Sequence, residues 1–361
     1  MICISVDGLH SGMIGAYGNG WIQTPAFDSL AVRSVVFDRY YAASVNLLDN
    51  FDLFWADSWL YQFAQNDGNT ILITDDNNIF NHANTQFAKK YKIESQTDEV
   101  VEDAEDTTFF KIFTTLIDQV VERGNSGSGQ HYCIWTHLCG FRGVWDFPFS
   151  YRERHRDEED PLPYQGSEVP RFDRCNPDEL QAVMEAYSGG ISLLDDMLAG
   201  LLDSIESCID CGKTVLAVFG TRGFSLGEHK KIGANYELFG ENIHLPLFIR
   251  LPNNASSTMR ISELLNPADL ADFFNSISKN QIESSKILQL TKEIKTSPQH
   301  EILQIKGKNN EVALVTPNWF IRRNEEGKIN IYVKPDDRWE INNVSNRLNE
   351  NSDINSILKN I

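Results

Sequence analysis

With 51 acidic against 32 basic residues in a chain of 361, the formal net charge is −19, which excludes a protein that gathers on nucleic acid or anionic lipid by charge alone. The 41% hydrophobic content and seven Trp describe a globular chain long enough for one large domain with a small appendage. No stretch approaches the ~20 apolar residues of a membrane span, and Met1–Val6 starts at once as a strand without a basic flank, so the expected location is cytoplasmic.

Met1–Val6 reads as a buried strand, with Asp7-Gly8-Leu9-His10 as the loop at its carboxyl end. Thr24 is placed to cap a helix that has Pro25 in its first turn, and Val35–Tyr41 is the next strand. Phe51–Gln65 has helical aromatic spacing, Asn69–Asp75 is a buried strand, and the acidic run Asp98–Asp106 is a solvated loop or helix start. Thr107–Arg123 is an amphipathic helix, and Gly124–Gly129 a linker. Gln130–His137 is a strand that carries His137 to the carboxyl edge of a sheet.

Arg142–Pro170, rich in Pro and aromatic residues, is long enough to be a lid or binding loop, folded over the mouth of the sheet. Asn176-Pro177-Asp178 caps a helix running to about Ser207, with Tyr187, Ile191, Leu194, Met197, Leu198 and Leu201 as its core stripe. The six Cys are scattered and form no disulfide framework. Cys208 and Cys211 make a CxxC without a second pair, in an ordinary helix-to-strand connection.

Lys213–Pro246 organises the chain. Thr214–Phe219 is a β-branched, apolar strand that ends in Gly220-Thr221-Arg222-Gly223, and ligands of open α/β sheets gather at such carboxyl ends. Leu247–Arg250 is a further strand and Asn266-Pro267 starts a helix. From about Glu301 the pattern changes to short alternating strands: Glu301–Lys306, Val312–Arg323 broken at Pro317, and Ile329–Val333. Alternating β and α first and antiparallel strands last predict a large α/β domain over residues 1–295 and a small antiparallel subdomain over 296–361.

Three motifs in one order resemble the sulfatase branch of the alkaline-phosphatase-like superfamily: Val6-Asp7-Gly8, Ala16-Tyr17-Gly18-Asn19 with Thr24-Pro25, and Gly227-Glu228-His229 followed by Leu245-Pro246. The resemblance implies an alkaline-phosphatase-like sandwich, with a central, mostly parallel sheet flanked by helices and a small C-terminal antiparallel sheet. It also implies a divalent cation held by carboxylates, a Cys or Ser nucleophile within Cys/Ser-x-Pro-x-Arg, and cationic side chains on the ester oxygens.

Position by position, this chain departs from that set. Asp7 matches the family's first metal Asp, but Gly8 replaces its acidic neighbour. Thr221 and Arg222 stand where an Asp-His or Asp-Asn pair is expected. The nucleophile position falls near Asn46, in Ser44–Asn50, with no Cys, Pro or Arg. The family's Lys falls near Ala234, and a second His falls near Arg142. The pocket expected from the resemblance therefore comprises His10, Asn46, His137, Arg142, Thr221, Arg222 and His229, with Asp7 alone as a metal carboxylate, too few for a hard cation. Ser44 is a shifted nucleophile only if a base serves it, and nothing near it in sequence does.

Two readings follow. The first is a sulfatase-like protein without the family's ester hydrolysis, needing no cofactor and binding a small anionic or sulfated ligand. The second is an active sulfuric or phosphoric ester hydrolase with a rebuilt site, using Ca or Mg and His10, His137 or His229 as base. A carboxylate at position 7 without its metal is costly to bury, so Arg222 is expected to pair with Asp7.

Overall fold

The computed structural model describes residues 1–56, 59–60, 63, 69–82, 87–95, 99–126, 131–172, 176–209, 211–279, 300–347, 354 and 357–358. Its strands are β1 (Ile2–Asp7), β2 (Val35–Phe37), β3 (Tyr40–Tyr41), β4 (Asn69–Thr74), β5 (Lys89–Lys92), β6 (Tyr132–Leu138), β7 (Leu216–Arg222), β8 (Ser225–Leu226), β9 (Ile232–Gly233), β10 (His244–Leu245), β11 (Leu247–Arg250) and β12 (Arg260–Ile261). Four more, β13 (Leu303–Lys306), β14 (Val312–Val315), β15 (Trp319–Arg323) and β16 (Ile329–Val333), form a separate antiparallel sheet.

The main sheet has eight strands in the order β12-β2-β11-β7-β1-β6-β4-β5. All its pairings are parallel except those of β11, which runs against both β2 and β7. Both faces are buried, so β1 and the inner part of β4, β6 and β7 are continuous apolar runs rather than alternating ones. One face packs on the helices Pro25–Val32, Thr108–Ser126 and Pro177–Cys208, the other on Leu47–Phe54 and Pro267–Lys279.

The second core also takes in one face of the C-terminal sheet, through Leu303, Ile305, Ala313, Val315, Phe320 and Tyr332. Val312, Leu314, Ile321 and Ile331, on the opposite face, form a small cluster of their own. That sheet is thus seated on the main domain. The expected boundary at 295–296 lies outside the described residues.

Two local expectations are corrected. Thr24 stands at the start of the Pro25–Val32 helix, but its hydroxyl accepts from the Gly15 N–H at 2.9 Å instead of capping. The open helix end is closed from a distance: Ala26 and Phe27 donate to the two carboxylate oxygens of Asp195, at 3.0 and 2.9 Å, from the long Pro177–Cys208 helix. Val35–Tyr41 is two strands, because Tyr40 and Tyr41 leave the main sheet to pair with β10. The long helix itself starts as read, with a reciprocal Asn176–Glu179 capping box. Cys3, Cys133, Cys139 and Cys208 are free thiols; Cys175 and the side chain of Cys211 lie outside the described residues.

Candidate functional site

β1, β6 and β7 are adjacent and parallel, so their carboxyl ends bring Asp7, His137 and Arg222 to one edge of the sheet. Register puts Asp7 beside Arg222 directly, after an irregularity between Val6 and Asp7. The pairing continues in the side chains. Arg222 Nε donates to Asp7 Oδ1 at 3.0 Å and Arg222 Nη2 donates to Oδ2, a two-pronged contact, while the Thr221 hydroxyl donates to Oδ1 at 3.0 Å.

Asp7 is 2% exposed. Burial on its own would raise its carboxyl; the Arg222 charge and hydrogen bonds, with Arg142 and His137 further off, hold it below the ordinary carboxylate range. Gly8 follows with φ of +77°, and a Cβ there would meet the Phe141 Cβ at 2.9 Å. Turn geometry and packing therefore both favour glycine where a second acidic residue was expected.

Arg142 reaches the same edge from the loop after β6. Its Nε donates to the Gly223 carbonyl at 2.9 Å and its Nη2 to the Asn235 carbonyl at 2.8 Å. Among the described residues it has no carboxylate within ion-pair distance. Burial first, and then the like charge of Arg222, bring its guanidinium down to about 10. The side-chain nitrogen of Asn235, whose carbonyl holds Arg142, is buried without a partner.

His137 is fully buried, with Nδ1 3.1 Å from the Ser5 hydroxyl, its ring edge-on to Phe51, and Nε2 without a partner. Burial lowers its proton affinity, so the imidazole is neutral. Asn46 is occupied as the cap of the Leu47–Phe54 helix: its oxygen accepts from Leu48 N–H, and its amide donates to Asp49 at 2.8 Å. The neighbouring Val45 carbonyl accepts from Arg222 at 3.3 Å, which ties this segment to the site. The expectation that nothing near Ser44 in sequence serves it is corrected: its hydroxyl donates to Oδ2 of Asp49, five residues on, at 2.8 Å.

The two other histidines stand apart from Asp7. His10 is buried at the end of the Asp7–His10 turn: its Nδ1 accepts from Gly12 N–H and its Nε2 donates to Glu228 Oε1 at 2.9 Å. His229 is bound into a second cluster with Glu241 and Glu340, stacked on Phe239 at 3.6 Å between centroids. The Arg142–Pro170 excursion splits as well. Trp145 is buried beside Tyr187 and Phe224, behind the site, whereas Tyr151 bonds Asp196 on the outer side of the long helix.

Tyr187 was read only as a core position, yet its hydroxyl donates to the Gly8 carbonyl at 2.7 Å and accepts from the His10 N–H at 2.9 Å. A buried Tyr needs a partner for its hydroxyl, and that rule alone marks the position. Glu241 and Glu340 carried no such mark, and Glu228 was read only as part of the Gly227-Glu228-His229 motif.

A central β sheet with helices on both faces, a polar carboxyl edge and a C-terminal antiparallel sheet is the alkaline-phosphatase-like architecture, in its sulfatase form. Known proteins place it further. A human iduronate 2-sulfatase is 29% identical over 97 residues, 27% of this chain and 17% of that protein, so the match spans far less than two thirds of the relative. An enzyme solved with its substrate, D-glucosamine-2-N,6-O-disulfate, superposes with a TM-score of 0.78 at 14% identity, over 99% of this chain and 96% of that one. The phosphonate monoester hydrolase of Agrobacterium radiobacter gives 0.73 at 13% identity, over 99% and 93%. A 2-O GAG sulfatase gives 0.70 at 13% identity, over 100% and 89%. No protein-family model matches the chain. The chain thus shares its fold with sulfatases and phosphonate monoester hydrolases, the fold that its motifs implied. No helix among the described residues is long and apolar enough to cross a membrane.

Proposed function

We propose that this is a sulfatase-like protein that holds an anionic ligand, a sulfate ester by preference, between Arg142 and Arg222, without the metal-assisted ester hydrolysis that its family resemblance implies. One observation carries the reading: two half-buried guanidinium groups stand by a single carboxylate, Asp7, and among the described residues Arg142 has two backbone carbonyls and the face of the Tyr236 ring, but no carboxylate, for partners. A buried positive charge without a counter-charge is unfavourable, and a singly charged oxyanion supplies one. That the fold neighbours include an enzyme solved with a sulfated sugar supports the choice of ligand.

The residues present do not fit the divalent cation the resemblance implies. Both oxygens of Asp7 are engaged by Arg222 and Thr221, Arg222 brings a fixed positive charge to the place of a ligand, and Gly8 offers no side chain. Among the described residues no three of His, Cys, Asp and Glu converge as a ligand set. The second reading, a rebuilt hydrolase, draws support from the Ser44–Asp49 contact, a hydroxyl with an acceptor for its proton.

The two are separated by calorimetric titration with inorganic sulfate and D-glucosamine-2-N,6-O-disulfate, alongside aryl sulfate and aryl phosphate turnover with and without Ca²⁺ or Mg²⁺. Binding that is lost in Arg142→Gln, with no turnover, is expected. Turnover abolished by Ser44→Ala would establish the hydrolase instead.

A further inference from the structure

The turn between β13 and β14 reaches back to the edge that carries Arg142 and Arg222, and it is fixed there on two sides. Lys306, the last residue of β13, donates its N–H to the Ala43 carbonyl at 3.0 Å and accepts from the Val45 N–H at 3.2 Å. The carbonyl of that same Val45 accepts from Arg222 Nη1 at 3.3 Å. On the other side Gly307 lies against the segment that follows Asn235, since a Cβ there would meet Leu238 Cδ1 at 3.1 Å.

The turn is also closed on itself. The Gly307 N–H donates to the Glu311 carbonyl and the Glu311 N–H to the Lys308 carbonyl, each at 2.9 Å. Asn309 and Asn310 between them have left-handed φ of +50° and +62°. A pair of that kind makes the short connection whose twist matches that of the flanking strands, so Lys308 stands on a defined scaffold.

From that scaffold Lys308 Nζ lies 3.3 Å from the centroid of the Tyr236 ring, and the Arg142 guanidinium carbon lies 5.7 Å from the same centroid. The ring quadrupole draws cations to its face, and this ring has two. They are at most about 9 Å apart, the two distances end to end, close to the ~8 Å range of charges at physiological salt. The neighbouring carboxylates are engaged elsewhere: Glu237 with Lys231 at 3.0 Å and Arg322 at 3.7 Å, and Glu311 with Arg322. Among the described residues neither Lys308 nor Arg142 has a carboxylate within ion-pair distance. Beside Tyr236, the buried side-chain nitrogen of Asn235 is a further donor without a partner.

We propose that Lys308, seated on Tyr236, is a second pole of the anion site, and that the ligand carries two sulfate groups, one held between Arg142 and Arg222 and the other at Lys308. This rests on the anion reading above and adds to it the class of ligand: a compact molecule with two sulfates, such as a disulfated sugar. A single sulfate engages one pole. A second, tethered to it, meets the other pole at high effective concentration.

The test is calorimetric titration of the full chain with inorganic sulfate and with D-glucosamine-2-N,6-O-disulfate, and the readout is the preference between them. The native chain is expected to bind the disulfate at least about tenfold more tightly. Lys308→Gln should reduce that preference to about twofold, and Lys308→Arg, which keeps the charge, should retain most of it. Lys308 is exposed, so both variants fold, and an unchanged unfolding midpoint checks this.

A native chain without preference, or a Lys308→Gln variant that keeps it, overturns the second pole. Equal weakening of both ligands in Lys308→Gln overturns it too, because the lysine then acts on the whole site. If only the disulfate binds measurably, Arg142→Gln and Lys308→Gln must each weaken it, and a Lys308→Gln affinity equal to the native one again overturns the second pole while leaving the anion reading in place. Binding of neither ligand overturns the anion reading and the second pole with it.

Discussion

Arg222 Nε and Asp7 Oδ1 are 3.0 Å apart, and the same two side chains share a second contact through Nη2 and Oδ2. The guanidinium occupies the position where the family resemblance expects a metal-ligating residue, and it delivers a fixed charge to a carboxylate that is 2% exposed. A planar donor fork matches a carboxylate better than a flexible ammonium does.

Arg222→Met is expected to destabilise the fold by about 3–5 kcal/mol, because it strands a buried carboxylate. The Asp7→Asn, Arg222→Met pair should recover part of that loss. Denaturant unfolding of the four-member cycle measures it, and simple additivity would show that the two groups are not coupled.

The pH dependence should change with that substitution. In the native chain the Asp7 carboxyl is held below its ordinary value. Its contribution to stability is thus present above the unfolded-state pKa near ~4 and lost as pH falls through the lower folded value. In Arg222→Met burial prevails, the shift reverses, and the position should lose stability as pH rises above ~4. Unfolding midpoints between pH 3 and 7 for the two proteins test the sign.

Arg142→Gln should leave stability unchanged or slightly raised in anion-free buffer, since it removes a half-buried charge that lacks a carboxylate partner among the described residues. Sulfate at about 100 times its Kd should stabilise the native chain by about 2.7 kcal/mol and this variant hardly at all. A variant stabilised by sulfate as much as the native chain would place the anion elsewhere.

Much of the frame was legible because apolar runs and caps are local signals. Asp7, Thr221 and Arg222 were legible as neighbours, since the resemblance supplied the strand order that joins positions 215 residues apart. His229 was not: adjacent in sequence to Glu228, it points into a different cluster, and its partners Glu241 and Glu340 come from a short turn and from the far C-terminal segment. Asp195 escaped for a similar reason. It caps a helix 168 residues away in sequence, which no local pattern encodes.

Tyr187→Phe is expected to cost about 1–3 kcal/mol, because the Gly8 carbonyl loses its donor and the buried His10 N–H loses its acceptor. Sulfate affinity should weaken in parallel if the Asp7-Gly8-Leu9-His10 turn positions the site. Loss of stability with unchanged affinity would confine Tyr187 to a packing role.

The sharpest prediction concerns the metal. A hard cation requires several oxygen ligands, and Asp7 has none to give while Arg222 and Thr221 hold both its oxygens. Native protein should therefore show no Ca²⁺ binding by calorimetry at this edge. Arg222→Asn removes the competing charge and adds a carbonyl oxygen, and Thr221→Asp adds a carboxylate beside the first, since the Thr221 side chain already reaches Asp7 Oδ1 at 3.0 Å. The double variant leaves two carboxylates in contact, which repel each other and invite a cation. Its Ca²⁺ affinity should be weak, on the order of millimolar, because Gly8 still contributes no ligand and water must complete the shell. Ca²⁺ should also raise its unfolding midpoint, an independent readout that does not require turnover. If Arg222→Asn alone bound Ca²⁺ as well as the pair, Asp7 and the surrounding carbonyls would suffice, and the guanidinium would be a plug in an otherwise intact site. If the pair bound none, the edge has been reshaped beyond Arg222, with the Gly8 turn and the Phe141 packing against it as the first places to look.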